Sequence, residues 1–399
     1  MSETTSRSIG DNSKTFTYAD LLRVGPGTIT GKYLRRFWHP VFAAADIAQG
    51  HVKPLRILGE DLTLYRSESG TPHIVGGRCP HRGVQLSLGF VDGDDIRCAY
   101  HGWKFDAAGK CVQQPAEPRP FCDQVKIKSY PTQEYLGLIF GYFGEGAPPP
   151  LPRLADYEDD KTYACEVSGD IWPVSYFDLL ENATDMAHTA FLHWHFGYQA
   201  PNNIEWRENE CGMAGTFEGT GKDPVFNRSF FDMPTAVEFA TRRPGHPGFF
   251  ARGYRVPRDD NSAVRFNLTA FPRVAAEARD KPATGGTGDE EKAAHPVTDI
   301  AAGLLSGRED MRSLKERSGG MNYMYLTNIQ DCTVLSSLGP PAQRDFAEFL
   351  GGTDLSVALM RRLWLREITA FAEGRPLKSW QRPDFMWQDV TAVHRAEAR

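Results

Sequence analysis

The pattern of hydrophobic and polar positions divides the chain into three stretches of different character. Residues 17–40 show short helical patterns around a turn that contains glycine and proline. From about residue 40 to residue 147, short apolar runs such as LTLY and LGLIF alternate with turn clusters such as SESGT and DAAGK, a spacing typical of a small antiparallel β structure. The proline-rich stretch GEGAPPPLPRL predicts a linker at the end of this β region.

The third stretch mixes helical and strand periods. Residues 174–196 have a helical pattern, and a second β region follows. Within that region the segment VRFNLTAF alternates strictly between apolar and polar residues. It therefore predicts a strand with one apolar face, formed by Val264, Phe266, Leu268 and Ala270.

A long amphipathic helix is predicted near the C-terminus. Apolar residues recur with the helical period over Leu355–Phe371, and Gly374 and Pro376 are stop signals. Residues 275–300, rich in glycine, alanine and charge, predict an exposed loop, and residues 1–15 predict a disordered lead. The whole pattern predicts an α+β chain, with a β domain followed by a larger domain of antiparallel strands and helices.

Length and composition exclude several classes of protein. A chain of 399 residues predicts two or three domains, and 41% hydrophobic with 24% charged residues is ordinary for a globular protein. The chain has no apolar run long enough for a membrane span and no secretory signal core, so we expect a cytoplasmic protein. A net charge of −6 without a polybasic block argues against nucleic acid as a partner. Seven cysteines fit reduced thiols better than a disulfide scaffold and direct attention to metal binding.

Two short cysteine- and histidine-containing motifs lie in the β region. Cys79 and His81 stand in CPHRG, and Cys98 and His101 stand in CAYHGWKF. A zinc site could also use two cysteines and two histidines, but zinc motifs usually pair cysteine with cysteine and histidine with histidine. Motifs that each mix one cysteine with one histidine suit a [2Fe–2S] cluster whose two irons have different ligands. Both motifs resemble the signature of the Rieske domain, which implies that Cys79 and Cys98 hold one iron and that His81 and His101 hold the other.

A second group of candidate ligands lies in ENATDMAHTAFLH. Asn182, Asp185 and His188 form a polar stripe in an otherwise apolar helical pattern. The D-x2-H-x4-H spacing of Asp185, His188 and His193 resembles the mononuclear iron motif of Rieske oxygenases, and it selects His193 rather than His195. On an ideal helix His188 and His193 would lie about 140° apart, so the helix must bulge or end between them for both to bind one ion.

A site of two histidines needs a carboxylate from elsewhere in the chain to complete the facial arrangement of an O₂-activating iron. The segment around NIQDCTVLSSLGP resembles the C-terminal region of the phthalate 4,5-dioxygenase-like group, in which the acid after glutamine is the ligand. This resemblance implies Asp331, while Glu348 and Asp354 are weaker alternatives. Asp331 could also be an ordinary surface or helix-capping residue.

The resemblance extends over nearly the whole chain, from VGPGTITGKYLRRFWHPVF to MRRLW. It is to the oxygenase component of Rieske non-heme iron oxygenases, in the branch of phthalate 4,5-dioxygenase and aromatic O-demethylases. It implies an N-terminal lead and helical segment (1–40), an all-β Rieske domain (41–150), and a catalytic domain (151–399) of curved antiparallel sheet with helices, of the helix-grip, START-like type. It also implies a head-to-tail homotrimer. ENATDMAHTAFLH itself is more similar to vanillate O-demethylases than to the phthalate enzymes.

The expected activity follows from the two metal sites. The resemblance implies a terminal oxygenase with a Rieske [2Fe–2S] cluster and a mononuclear Fe(II), which acts with O₂ on a small aromatic substrate by hydroxylation or oxidative O-demethylation. The alternative is cis-dihydroxylation of an aromatic carboxylate such as a phthalate. A simple electron carrier would not account for the second motif. Because the glycines near the N-terminus do not match a dinucleotide-binding fingerprint, electrons from NAD(P)H are expected through a separate ferredoxin and/or flavin-dependent reductase.

Asp185 is predicted to act beside the iron rather than to bind it. Three residues before His188 on a helix, its carboxylate would accept the free ring N–H of that ligand. The resemblance implies that it also accepts a hydrogen bond from His101 of the partner subunit, so that it connects the two metal sites. The alternative is that Asp185 only orients His188. Asn182 is grouped with Asp185 as a candidate catalytic residue.

Overall fold

The computed structural model of the chain describes residues 15–196, 200, 202–218, 226–243, 246–273, 296–384 and 386–387. The predicted N-terminal lead and most of the predicted 275–300 loop lie outside these residues. The end of that predicted loop is helical, since a helix begins at Val297.

The helices of the described residues fall into two short N-terminal pieces, two that carry the candidate iron motif, and four in the C-terminal third. They are α1 (Tyr18–Leu21), α2 (Ile29–Leu34), α3 (Tyr176–Thr184), α4 (Thr189–Leu192), α5 (Val297–Leu305), α6 (Met311–Arg317), α7 (Tyr323–Ser336) and α8 (Leu355–Ala372). The two N-terminal pieces confirm the helical pattern expected over residues 17–40.

Eleven short strands in the described part of the N-terminal half form three small antiparallel sheets. The sheets have the orders β1-β11-β10, β2-β3-β4-β9 and β5-β6-β7-β8. The strands are β1 (Trp38–Ala43), β2 (Val52–Ile57), β3 (Glu60–Arg66), β4 (Pro72–Gly76), β5 (Phe90–Asp92), β6 (Asp95–Arg97), β7 (Lys104–Phe105), β8 (Cys111–Gln113), β9 (Ser129–Tyr130), β10 (Thr132–Tyr135) and β11 (Leu138–Tyr142).

A single larger sheet of seven strands forms the base of the C-terminal half, with the order β12-β18-β17-β16-β15-β14-β13 and antiparallel neighbours throughout. The strands are β12 (Tyr163–Trp172), β13 (Asn202–Glu208), β14 (Gly212–Glu218), β15 (Phe226–Asp232), β16 (Ala236–Arg243), β17 (His246–Asp259) and β18 (Ser262–Pro272). The arrangement confirms the predicted α+β class, with an all-β part followed by an antiparallel sheet that carries helices.

The long C-terminal helix fixes the iron-motif helix α3 against this sheet. Met360, Trp364 and Ile368 recur every four residues on α8 and are fully buried. The Trp364 ring meets that of Phe177 on α3 edge-on, with 5.9 Å between centroids. The helix ends where the sequence predicts, since Gly374 takes the left-handed conformation directly after the C-cap.

The apolar face predicted for β18 is confirmed, and one polar residue of the opposite face is buried as well. The four predicted apolar residues of VRFNLTAF are buried, but so is Arg265 between them. Arg265 is enclosed because its guanidinium lies over the Trp172 ring, 3.6 Å from the centroid, and because its Nη2 donates to Asn328 Oδ1 on α7 at 3.1 Å. Among the described residues, no helix is long and apolar enough to cross a membrane.

Candidate metal centres

The two cysteine–histidine motifs adopt the same turn. The backbone N–H of Cys79 donates to Val84 and that of Cys98 donates to Trp103, both at 2.8 Å. Each turn then closes with a glycine N–H that donates back to the cysteine carbonyl, and Gly102 does so at 3.1 Å with φ of +72°. Such positive φ angles favour glycine, which explains the glycine at the end of both motifs.

The four side chains of these turns converge. Cys79 and Cys98 are buried, and burial, with the adjacent Cys98 thiol, raises the pKa of Cys79 to about 11. The rings of His81 and His101 lie 4.5 Å apart between centroids, and Trp103 stacks on His81 at 4.6 Å. His101 Nδ1 is buried and has no hydrogen-bond partner among the described residues. Two paired thiols beside two imidazoles, one with an orphaned ring nitrogen, are a donor set that fits a [2Fe–2S] cluster.

The second motif contains a helix break before His188 that the sequence did not predict, in addition to the predicted helix end between the two histidines. Helix α3 ends at Thr184, and Asp185 takes an extended backbone conformation. Its carboxylate accepts from the backbone N–H of Ala187 at 2.8 Å, and a local side-chain bond of this kind competes with helix continuation. The single turn α4 follows, with His188 at its N-cap and His193 at its C-cap.

This break brings three candidate ligands together. One ligand atom from each of His188, His193 and Asp331 lies within 4.8 Å of the other two. Asp331 Oδ1 is 3.2 Å from His193 Nε2 and 3.7 Å from His188 Nε2. Asp331 comes from the middle of α7, so it is not a helix cap. Two imidazole nitrogens and one carboxylate oxygen that converge in this way fit a mononuclear non-heme iron.

The other ring nitrogen of each histidine already has a partner. His188 Nδ1 lies 3.3 Å from Asp185 Oδ2, and His193 Nδ1 lies 2.9 Å from Gln330 Oε1. These partners favour the tautomer that leaves Nε2 free to bind a metal, and they fix the ring orientation. Gln330 was not identified from the sequence, although its position next to Asp331 was a usable signal.

The surroundings of the three ligands are electrostatically negative. Although burial opposes it, the Asp331 carboxylate and Gln330 raise the pKa of His193 above its ordinary value. Against the opposing effect of burial, the hydrogen bond to His188 lowers the pKa of Asp185. The Asn182 amide nitrogen lies 3.3 Å from Asp331 Oδ1 and 3.5 Å from His188 Nε2. This predicted residue therefore lies directly beside two of the three candidate ligands.

The alternative ligands lie elsewhere. Glu348 forms an ion pair with Arg361, and Asp354 precedes α8 and accepts from the backbone of Gly351 at 2.6 Å. His195 Nε2 lies 3.2 Å from the hydroxyl of Thr327, outside the group of three.

A cavity of about 190 Å³ adjoins the ligand group on the side of Asp185. Its polar wall contains Asn182, Asp185, His188 and Asp331, and its apolar wall includes Val334. Asp185 therefore lies between His188 and an open space.

Comparison with known proteins agrees with this geometry. Residues 37–131 match the family model described as the Rieske [2Fe-2S] domain. The chain is 29% identical over 378 residues to the 5,5'-dehydrodivanillate O-demethylase oxygenase subunit of Sphingobium sp., an alignment that covers 90% of this chain and 81% of the relative. It is 26% identical over 385 residues to the phthalate 4,5-dioxygenase oxygenase subunit of Pseudomonas putida, which covers 89% and 86%.

A solved structure shows the same fold. Dicamba monooxygenase bound to dicamba aligns with a TM-score of 0.61 over 86% of this chain and all of that one, at 18% identity. The chain therefore contains a Rieske [2Fe-2S] domain, and over most of its length it is similar to the oxygenase subunits of Rieske non-heme iron oxygenases in the branch of phthalate 4,5-dioxygenase and aromatic O-demethylases.

Proposed function

We propose that this chain is the terminal oxygenase of a multicomponent system that inserts one oxygen atom into a small aromatic substrate, by hydroxylation or oxidative O-demethylation. The observation that carries the proposal is the convergence of His188, His193 and Asp331 in a chain that also has a Rieske domain. O-demethylation is favoured because ENATDMAHTAFLH is similar to vanillate O-demethylases and because a relative aligned over most of the chain is named an O-demethylase.

The donor geometry supports the ligand assignments of this proposal. Cys79 and Cys98 would hold one iron of the cluster and the two motif histidines the other, while His188, His193 and Asp331 would hold the mononuclear Fe(II). When bound, the cluster supplies single electrons and the Fe(II) supplies the site at which O₂ is activated.

The protein's own groups place and protect these centres. Asp185 and Gln330 hold the two imidazoles with Nε2 toward the metal position, and the Asn182 amide donates to Asp331 Oδ1. Trp103 covers one face of His81. Groups fixed in this way before the substrate enters reduce the reorganisation that the reaction requires.

Electrons would arrive from a ferredoxin and/or a flavin-dependent reductase. The glycine spacing near the N-terminus offers no dinucleotide fingerprint, so a separate protein would have to bind NAD(P)H.

We further propose a head-to-tail homotrimer. Within the described part of the chain, exposed apolar side chains are found on the Rieske domain, where Leu88 and Phe90 are 65% and 61% exposed, and on the segment that precedes α8, where Phe349 is 91% exposed. That segment adjoins the cavity, since Glu348 pairs with Arg361, which also pairs with Glu181 of the cavity wall. Two different apolar surfaces on one chain suit a heterologous contact that closes into a ring.

Metal analysis gives the first test. The purified protein is expected to be red-brown, to contain acid-labile sulfide, and to hold more iron than the sulfide accounts for, because the two donor sets are separate. Reduction should produce the EPR signal of a Rieske cluster. Recovery of zinc alone, without an EPR signal from the reduced protein, would refute the assignment of Cys79, His81, Cys98 and His101.

Product analysis tests the type of reaction. With reductase, NADH and ¹⁸O-labelled O₂, we expect a phenol with release of formaldehyde from an aryl methyl ether, or a ring hydroxyl with one labelled atom. Omission of the reductase is the control and should stop turnover. A vicinal cis-diol with both oxygens labelled, as the only product, would favour the dihydroxylating alternative instead.

A further inference from the structure

Two cysteines of the Rieske domain that lie outside both cluster motifs are neighbours in the fold. Cys111 is the first residue of β8 and is 1% exposed, whereas Cys122 begins a single 3₁₀ turn and is half-buried. The backbone holds the two positions together, because the N–H of Cys111 donates to the carbonyl of Val125 at 3.1 Å and the N–H of Val125 donates to the carbonyl of Cys122 at 3.0 Å. Cys122 also packs against the small buried group of side chains that contains Cys111.

The two side chains are in contact. The Cys122 thiol is a hydrogen-bond partner of the Cys111 thiol, and burial, followed by this contact, raises the pKa of Cys111 to about 12. Cys111 Sγ also lies 3.7 Å from the backbone carbonyl of Gln113. Both thiols are free. Two free thiols that the backbone already holds in contact need little movement to form a disulfide.

The loop between the two cysteines covers the Rieske site. The Phe121 ring meets the Trp103 ring edge-on, with 5.5 Å between centroids, and Trp103 stacks on His81. The Gln114 side chain closes the loop on itself, since its Oε1 accepts from the Phe121 N–H at 2.6 Å. A bond between the two ends of this loop would therefore hold the cover of a candidate cluster ligand in place.

We propose that Cys111 and Cys122 form a reversible disulfide that fastens this loop over the Rieske cluster when hydrogen peroxide accumulates. In a reducing compartment, disulfides of this kind are transient and redox-sensing rather than structural. Hydrogen peroxide is the two-electron reduction product of O₂, and an enzyme that activates O₂ releases it when reduction outpaces oxidation of the substrate. The inference rests on the proposed function only for this source of peroxide.

The oxidation uses one peroxide molecule for each disulfide. The more accessible sulfur, that of Cys122, attacks one peroxide oxygen, the O–O bond breaks, one water leaves, and Cys122 becomes a sulfenic acid. The Cys111 sulfur then displaces the sulfenic oxygen as a second water, and the S–S bond forms. The two thiol protons leave in the two waters, and two electrons pass from the sulfurs to the peroxide. A dithiol reductant returns two electrons and two protons and restores both thiols.

Peptide mapping of the metal-loaded protein tests whether the disulfide forms. The protein is treated with a small molar excess of hydrogen peroxide, alkylated and digested with trypsin. Both cysteines fall in one peptide, residues 111–126, because Arg119 precedes a proline and is not cleaved, while Cys79 and Cys98 fall in other peptides. We expect the 111–126 peptide of most chains to be two hydrogen atoms lighter and to carry no alkyl group, and dithiothreitol to restore two alkylated cysteines.

An unpaired thiol in the same digest serves as the control for general oxidation. Cys165 is exposed, and its Sγ donates to the backbone carbonyl of Tyr157 at 3.5 Å rather than to a second thiol. It should stay available to alkylation at the same peroxide concentration.

The rate of cluster loss tests the effect of the disulfide. In guanidinium chloride with an iron chelator, the visible absorbance of the cluster is expected to decay about 10-fold more slowly in the peroxide-treated protein than in the reduced protein, because the bond closes a loop of twelve residues. Cys122→Ser should show the fast decay with or without peroxide, and it should keep the EPR signal and turnover of the reduced wild type. Its decay after peroxide treatment also measures direct damage to the cluster.

Two results would overturn the proposal. One is a 111–126 peptide that remains alkylated at both cysteines, or that carries only sulfinic or sulfonic acid on Cys122. The other is equal rates of cluster loss in the oxidised and reduced wild type. Either result, with iron content and O₂-dependent turnover intact, would leave the proposed oxygenase function standing. A protein that forms the disulfide but lacks mononuclear iron and turnover would refute the oxygenase function and not this inference.

Discussion

Asp331→Ala is expected to remove most of the mononuclear iron and to lower turnover by about 10³-fold or more, while the Rieske cluster stays fully loaded. Asp331 Oδ1 is the only oxygen among the three converging ligand atoms, and it also supplies the only negative charge of that set. Two neutral imidazoles alone would bind Fe(II) weakly, since a hard carboxylate is part of the facial arrangement. Iron and acid-labile sulfide are measured per chain, and the iron in excess of sulfide is the quantity that should fall.

Glu348→Ala is the matched control. Glu348 lies on the same side of the domain, but its carboxylate is paired with Arg361 and does not approach the histidines. This variant should retain the iron in excess of sulfide. Full iron occupancy and turnover in Asp331→Ala, or loss of mononuclear iron in Glu348→Ala, would move the third ligand to another acid.

The cluster motifs could be predicted from the sequence because each is local. Each turn closes within a few residues, with its own glycine and its own backbone hydrogen bonds, so spacing alone specifies which side chains meet. The end of helix α3 at Thr184, before His188, could not be predicted from the sequence. A helical period was present throughout, and it does not reveal the bond from the Ala187 backbone N–H to the Asp185 carboxylate, which competes with helix continuation.

Residues that depend on packing between distant elements were the ones missed. Gln330 reaches His193 only because α7 lies beside α4. Arg255 and Arg265 occupy polar positions of alternating strands, which in an isolated sequence indicate a solvent-exposed face. Arg265 instead contacts Trp172 and Asn328 on α7, and no local signal in β18 indicates these contacts. The burial of these two arginines therefore became identifiable only from the fold.

Asp185→Asn is expected to leave both metals near full occupancy and to slow turnover, and reoxidation of the reduced cluster by O₂ with substrate bound, by about 100-fold or more. The carboxylate of Asp185 contacts His188 Nδ1 through Oδ2 and remains partly exposed to the adjoining cavity. It can thus accept a second ring N–H from His101 of the partner subunit in the proposed trimer. The carboxamide of the variant has one acceptor oxygen and an NH₂ donor group, so it cannot accept one ring N–H on each of two oxygens as the carboxylate can.

Stopped-flow reoxidation of the reduced cluster separates this role from simple orientation of His188. The amide oxygen can still accept the His188 N–H, so an orienting role alone predicts reoxidation at the wild-type rate. Asp46→Asn, an exposed aspartate on the Rieske domain, is the control for loss of one negative charge. Because no electron needs to enter from a reductase during this measurement, a slow phase in Asp185→Asn alone would locate the defect between the two metal centres. Wild-type reoxidation in Asp185→Asn would show instead that electrons reach the mononuclear iron by a route that does not include this residue.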